Sequence, residues 1–329
     1  MSSSHRDVSR PVIGGWREAL VSVNDIDGWI RTYAEVGGWE LRYEGDVSPD
    51  TLEYLQVRPG SRAREAVVGC KGAGFGFARL VCFDCDERRP VIRSYGRPWE
   101  TGGWFDLNLR VEDIAARFAQ LQDLGWGAST DPIEYDFGPF TVREWLTCGP
   151  DGVQWALIER VNPPLEPGAR PGRMGPHFNS TQIVDDIAAA RRFYREILGF
   201  ESAVEIDDQP MMPGPLQNVM GLPDELAASQ QWNISMLKAP GGEGGSVEII
   251  ALPGISGRDF APLADPPNRG IISLRFPVDD LEAVHRRLIE ADVPIVHPPQ
   301  ALELPPDGAV QMMTARGPCG VRLDFFMPN

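Results

Sequence analysis

At 329 residues, with 42% hydrophobic and 24% charged side chains, the chain has the balance of a folded protein with room for two domains, which excludes disorder and fibrous repeats. Its net charge of −16 excludes a binder of nucleic-acid backbones, which needs clustered Lys and Arg, and no run reaches the roughly 20 apolar residues of a membrane helix. Five cysteines are too few, and odd in number, for a disulfide framework, so a cytoplasmic location is expected.

In chain order, residues 1–12 (MSSSHRDVSRPV) have no apolar stretch for a secretory leader and read as a disordered tail. After them one pattern recurs four times: a short strand, an acidic pair or near-pair, then a helix with an apolar stripe. The copies read ALVSVNDIDGWIRTYAEVGGWE, LNLRVEDIAARFAQLQDLGW, TQIVDDIAAARRFYREILGF and LRFPVDDLEAVHRRLIEADVP. Asp25, Asp113, Asp186 and Asp280 stand where an N-cap belongs, able to accept the free amides of the first helical turn. Behind Asp186, the residues Ile187, Ala190, Phe193, Tyr194 and Ile197 follow helical spacing. Strand-like segments broken by Gly and Pro come next, and the last strand itself recurs, as GPDGVQWALIER from Gly149 and GPCGVRLDFFMPN from Gly317. The third copy has GGEGGSVEIIALP in that place. The unit is β-α-β-β-β. Residues 161–176 (VNPPLEPGARPGRMGP), dense in Pro and Gly, read as an interdomain linker. That predicts a first domain over 13–160 from modules one and two, and a second over 177–329 from modules three and four.

TQIVDDIAAARRFYREILGF resembles the signature helix of the vicinal oxygen chelate superfamily, which includes glyoxalase I, methylmalonyl-CoA epimerase, extradiol dioxygenases and the bleomycin and fosfomycin resistance proteins. The resemblance runs through all four modules. It implies an α+β fold in which modules pair into two domains, their curved mixed sheets forming cups with the helices outside. It also implies a divalent metal in such a cup (Mg, Mn, Zn, Ni or Fe), held by one residue from the first strand and one from the last strand of each module. The first-strand position lies seven residues before the capping Asp, which gives Glu18, Asp106, Asn179 and Ser273. The last-strand position, four residues after a turn Gly, gives Ala156, Glu248 and Asp324, while the glycines of CKGAGFGFARLVCF leave Ala78, Arg79 and Leu80 all open.

No counted position is a His. Of the four histidines, His5 is in the tail, His285 on a helix and His297 in a Pro-rich stretch, so only His177 is near a cup position. A two-His-one-carboxylate iron site is out of reach, and a ring-cleaving dioxygenase ranks last. Strand alternation puts Asp106, Asn108 and Arg110 on the face away from Phe105, Leu107 and Leu109. Glu18 and Asp106 are then expected to share the first cup, binding substrate or metal, or forming plain ion pairs with Arg79 or Arg110. In the second cup Glu248 and Asp324 are the catalytic candidates, and with His177, brought in by a strand bulge, the metal candidates. Asn179 and Ser273 would bind substrate there. A lone carboxylate between Val247 and Ile249 makes Glu248 the leading residue. The Met- and Pro-rich segment 209–231 would form a lid or a packed loop.

Two functions stand. The first is a metal-assisted isomerase, epimerase or lyase of an oxygenated small molecule, more at home in the second domain. The second is a metal-free protein that sequesters a hydrophobic or aromatic compound, with no cofactor. In both cases the partner is a small molecule, with no nucleic acid and no membrane, and the protein is a monomer or homodimer.

Overall fold

The computed structural model describes residues 11–94, 97–211 and 218–328. Most of the expected tail, His5 included, and the centre of the 209–231 segment lie outside them.

The four modules appear in order. Module one comprises β1 (Glu18–Ser22), α1 (Ile26–Thr32), β2 (Glu40–Asp46), α2 (Pro49–Tyr54), β3 (Arg62–Gly69) and β4 (Phe77–Asp84). Module two comprises β5 (Leu107–Val111), α3 (Ile114–Asp123), β6 (Ile133–Phe137), β7 (Phe140–Cys148) and β8 (Gln154–Asn162). Module three has β9 (Met174–Ile183), α4 (Ile187–Arg192), β10 (Glu201–Pro210), α5 (Asp224–Ala227), β11 (Gln231–Lys238) and β12 (Ser246–Ala251). Module four has β13 (Gly270–Pro277), α6 (Leu281–Glu290), β14 (Ile295–Leu304), β15 (Gly308–Arg316) and β16 (Arg322–Pro328). The capping residues act as the sequence predicts. Asp25, Asp113, Asp186 and Asp280 accept from the amides of Gly28, Ala116, Ala189 and Ala283 at 2.9–3.1 Å, each cap stabilising its helix by about 1 kcal/mol. No helix among the described residues is long and apolar enough to cross a membrane.

The strands form two eight-stranded mixed sheets, ordered β14-β15-β16-β13-β1-β4-β3-β2 and β10-β11-β12-β9-β5-β8-β7-β6. The fold class is the expected one, but the partners of the modules are not. Module one shares its sheet with module four, and module two with module three, so the expected pairing of one with two and three with four is corrected. The seam strands are β1 with β13 and β5 with β9, both antiparallel. The physical reason is in the connectors. The short link from β8 to β9 keeps modules two and three side by side. The longer segments 85–106 and 252–269 cross between the sheets, and their described residues tie to each other: Arg258 to Glu100 at 2.7 Å, with bridges Val91 to Arg269 and Thr101 to Asp259.

The face of each sheet opposite its cup packs into one shared core. Trp16, Trp29, Tyr33, Trp126, Trp155, Tyr194 and Phe276 belong to it, with residues of α1, α3, α4 and α6. Gly76 (φ +74°) lies where the sheets meet. A Cβ there would come within 2.3 Å of the His177 carbonyl, and its own carbonyl accepts the His177 amide at 3.3 Å.

Candidate functional site

The cup of modules one and four is filled. Leu20, Phe83, Ile272, Val310, Met312 and Phe326 pack inside it with Tyr54 and Leu55 at the end of α2. Its polar residues form a closed ion-pair network. Glu18 accepts from Arg79 Nε at 2.7 Å and from Arg275 Nη1 at 2.6 Å, and Arg79 Nη1 donates to Glu65 at 2.7 Å. Asp324 accepts from Ser273 Oγ at 2.6 Å and Thr314 Oγ1 at 2.7 Å, with Arg275 Nε at 3.4 Å. Both arginines are 1% exposed. Burial alone would raise the Glu18 pKa, but Arg79 and Arg275 overcome it and hold the carboxyl below the usual range.

Register makes the cups comparable position by position. Glu18 and Asp106 both lie seven residues before the capping Asp. Arg79 pairs with Leu20 on β1 as Ala156 pairs with Asn108 on β5. Asp324 pairs with Arg275 as Glu248 pairs with Thr181. Glu65 and Glu144 each face the residue two past that Arg or Ala, Val81 and Ile158 respectively. The same acidic trio therefore stands in both cups, Glu18, Glu65 and Asp324 against Asp106, Glu144 and Glu248, whereas Arg79 and Arg275 become Ala156 and Thr181.

In the cup of modules two and three none of the three acids forms an ion pair among the described residues. Asp106 Oδ1 accepts the Thr181 amide at 3.0 Å. Glu248 Oε2 accepts Thr181 Oγ1 at 3.0 Å and Asn179 Nδ2 at 3.5 Å, and Glu144 accepts the Tyr135 hydroxyl. Burial lifts all three pKa values, Asp106 to about 7 and Glu248, with Asp106 and Glu144 adding their repulsion, to about 8; Glu144 moves in the same direction. Burial and Glu144 hold the Tyr135 phenol protonated. A cavity of about 350 Å³ opens over Glu144, Glu248, Asn108 and Asn179. Phe137, Phe140, Phe178 and Met236 form its walls, and Arg110, Arg160 and Lys238 also line it. A second hollow of about 480 Å³ adjoins it across Tyr135 and Val204, backed by Trp232 and Met211. The described flanks of the 209–231 segment, Met211 and Val219 to Leu222, pack into this cup with Ile234 and Ile250.

The predicted residues divide accordingly. Asp106, Asn179 and Glu248 come together in the open cup, and Glu18, Ser273 and Asp324 in the sealed one. Glu18 and Asp106 do not share a cup, and Glu248 and Asp324 share neither a metal nor a catalytic site, because the modules exchange partners. His177 belongs to neither. The bulge exists, since Asn108 pairs with Asn179 but Leu109 with His177, yet it leaves Asn179 facing the cavity and turns His177 into the core. There its Nε2 meets the Tyr33 hydroxyl at 2.9 Å beside Trp39, and burial drops its pKa to about 3. Ser180 and Gln182, which also face that side, are satisfied by the Asp106 carbonyl and by Tyr194 and Pro318. Sequence reasoning missed Glu144 and Tyr135. The signal for Glu144 was available, since Trp145 next to it points to the core and alternation sends Glu144 the other way.

The divalent ion implied by the resemblance finds a poor donor set here. The counted positions give Asp106, Asn179 and Glu248, all oxygen, with Ala156 supplying nothing. Among the described residues no three His, Cys, Asp or Glu side chains group so as to hold an ion. In the sealed cup guanidinium groups take the place a cation would need.

Residues 176–325 match the model of the Glyoxalase/Bleomycin resistance protein/Dioxygenase superfamily. Glyoxalase I from Zea mays has a similar fold over 95% of this chain and 92% of its own, at 18% identity and a TM-score of 0.62. A protein described as a candidate dioxygenase from Bacillus subtilis subsp. subtilis str. 168 is similar over 96% of this chain and 86% of its own, at 12% identity and a TM-score of 0.59. Likeness at such identities shows the fold alone. Curated protein sequences give no match.

Proposed function

We propose, from the match of residues 176–325 to the glyoxalase/bleomycin resistance protein/dioxygenase superfamily, that the open cup is the active site of an isomerase, epimerase or lyase that moves a proton at a carbon next to a carbonyl. The observation that supports this is Glu248: a carboxyl on the cavity wall, oriented by Thr181 and Asn179, with a pKa of about 8. A group that titrates near neutrality both takes and returns protons efficiently. Asp106 beneath it, at about 7, is the group with which it exchanges its proton. Arg110 and Arg160 line the same cavity and present N–H donors to the oxygens of the substrate. No step in this reading runs through a metal, because the donor set does not fit one. The protein works on a small molecule, as a monomer or homodimer in the cytoplasm.

The aromatic wall of Phe137, Phe140 and Phe178 favours a second reading, capture of an aromatic compound without turnover. Deuterium exchange separates the two. In D₂O with a panel of small ketones and oxo acids, the enzyme should place deuterium next to the carbonyl of its substrate, and Glu248→Gln should slow this by about 100-fold or more. Tight binding of aromatic compounds with no exchange anywhere in the panel would leave the capture reading standing alone.

A further inference from the structure

The sealed cup shows what its acidic trio accepts as a partner: Glu18, Glu65 and Asp324 are held by two guanidinium groups, Arg79 and Arg275. The open cup keeps the trio, as Asp106, Glu144 and Glu248, but has Ala156 and Thr181 where those arginines stand. It also has a cavity reaching Glu144 and Glu248. A second feature of the same cavity points to a nitrogen donor. Asn108 is 4% exposed and lines the cavity, and its Oδ1 is buried with no hydrogen-bond partner among the described residues. A buried acceptor left unmade costs about 1–3 kcal/mol, and an N–H from a ligand would satisfy it. Leu20, which takes the place of Asn108 in the sealed cup, asks for nothing.

We propose that the ligand of the open cup carries a guanidinium or amine group that seats against Glu144, Glu248 and Asn108, as the guanidinium groups of Arg79 and Arg275 seat against the acids of the sealed cup. The inference rests on the reading of this cup as a ligand site and adds the chemical class of the ligand. The aromatic wall suits it, because cations are attracted to ring faces. Arg110 and Arg160 do not compete for the acids: their guanidinium groups lie over Phe178 and Phe140, and the charged groups acting on Glu248 are Asp106 and Glu144. Their N–H groups are available to the oxygens of the same molecule.

A cation arriving at this trio must displace protons. The groups facing it are Asp106 just before β5, Tyr135 on β6, Glu144 on β7 and Glu248 on β12, with Thr181 on β9 between Asp106 and Glu248. Arg93 acts on Asp106, and Arg110, Arg160 and Lys238 line the same cavity. With the site empty, burial keeps Asp106 and Glu248 partly protonated at pH 7. With a guanidinium bound they ionise, as Glu18 does beside Arg79 and Arg275.

Calorimetric titration of the full chain with benzylguanidinium and with its neutral isostere benzylurea tests this. Benzylguanidinium should bind about tenfold more tightly or better, and titrations in buffers of different ionisation enthalpy should show about one proton released per ligand at pH 7. Glu144→Gln should lower the affinity severalfold. Ala156→Arg should abolish it while raising Tm, since it supplies the missing guanidinium from the chain; if that variant fails to fold, Glu144→Gln decides. Equal affinity for the two probes, no binding of either, or binding without proton release would overturn the proposal. Deuterium exchange on neutral carbonyl compounds together with equal probe affinities would sink this inference and keep the proton-transfer reading. Selective benzylguanidinium binding with no exchange would do the reverse.

Discussion

The two cups have the same frame and opposite contents. In the sealed cup the acids Glu18, Glu65 and Asp324 meet Arg79 and Arg275 and are buried as ion pairs. In the open cup Asp106, Glu144 and Glu248 meet Ala156 and Thr181, so burial lifts the pKa of each carboxyl and a cavity opens over Glu144 and Glu248. The difference shows how little separates a structural core from an open, acid-lined cavity on one scaffold. Exchanging two cationic side chains for short ones converts paired carboxylates into tunable acids and frees the space that the long side chains would fill.

That contrast is most sharply broken from the sealed side. Arg79→Ala leaves Glu18 and Glu65 buried without their shared cation and should cost about 3–5 kcal/mol in urea unfolding. A loss below about 1 kcal/mol would mean that the network is not what closes this cup. His177, in the wall between the sheets, comes next. Its folded pKa of about 3 lies below the ordinary value of 6.5, so its contribution is present above pH 6.5 and lost as pH falls toward 3. Stability should drop by about 2 kcal/mol from pH 7 to pH 5 on this account. His177→Gln, measured by the same unfolding series, should flatten that slope; an unchanged slope would place the titration elsewhere.

Glu18 and Glu248 should respond to pH with opposite signs. Glu18, held below its usual pKa, stabilises above about pH 4.5 and loses that contribution in acid. Glu248, raised to about 8, favours the fold below pH 4.5 and loses that contribution as pH rises through 8. Glu248→Gln should therefore stabilise the protein at pH 8 by about 1–2 kcal/mol, discounted because Glu248 is only half-buried, and change little at pH 4. A destabilised variant at pH 8 would mean that a partner holds Glu248 ionised. The smallest effect is a control on the shared frame: Asp25→Ala and Asp113→Ala should each cost about 1 kcal/mol by the loss of one cap. Markedly unequal costs would show that the modules are not equivalent supports.

Local features of the fold were legible in the residues. The four capping aspartates, the helical stripe behind Asp186 and the alternation that sets Asn108 against Leu107 and Leu109 depend on neighbours a few residues apart and are found as read, whereas Phe105, expected beside Leu107 and Leu109, packs instead with Ile183 and Ile234 in the open cup. The site was legible only in part. Counting back from a cap places Asp106, Asn179 and Glu248 on cup faces, but it equally promotes Glu18, Ser273 and Asp324, which the fold locks into ion pairs and hydrogen bonds. Arg79 was one of three residues open at its position, and its ion pair with Glu18, now seen at 2.7 Å, was one of several alternatives the residues left open.

The sequence by itself thus determined the four modules, the caps, the α+β class and part of the set of inward-facing polar residues, because backbone periodicity and first-turn hydrogen bonds act over short spans of chain. Only the tertiary structure decided that module one joins module four and module two joins module three, that His177 is a core residue, and which acidic trio keeps its arginines. Those outcomes depend on strand register at the β1–β13 and β5–β9 seams, where residues distant in sequence meet and a side chain's charge state is set by neighbours that the chain order does not reveal.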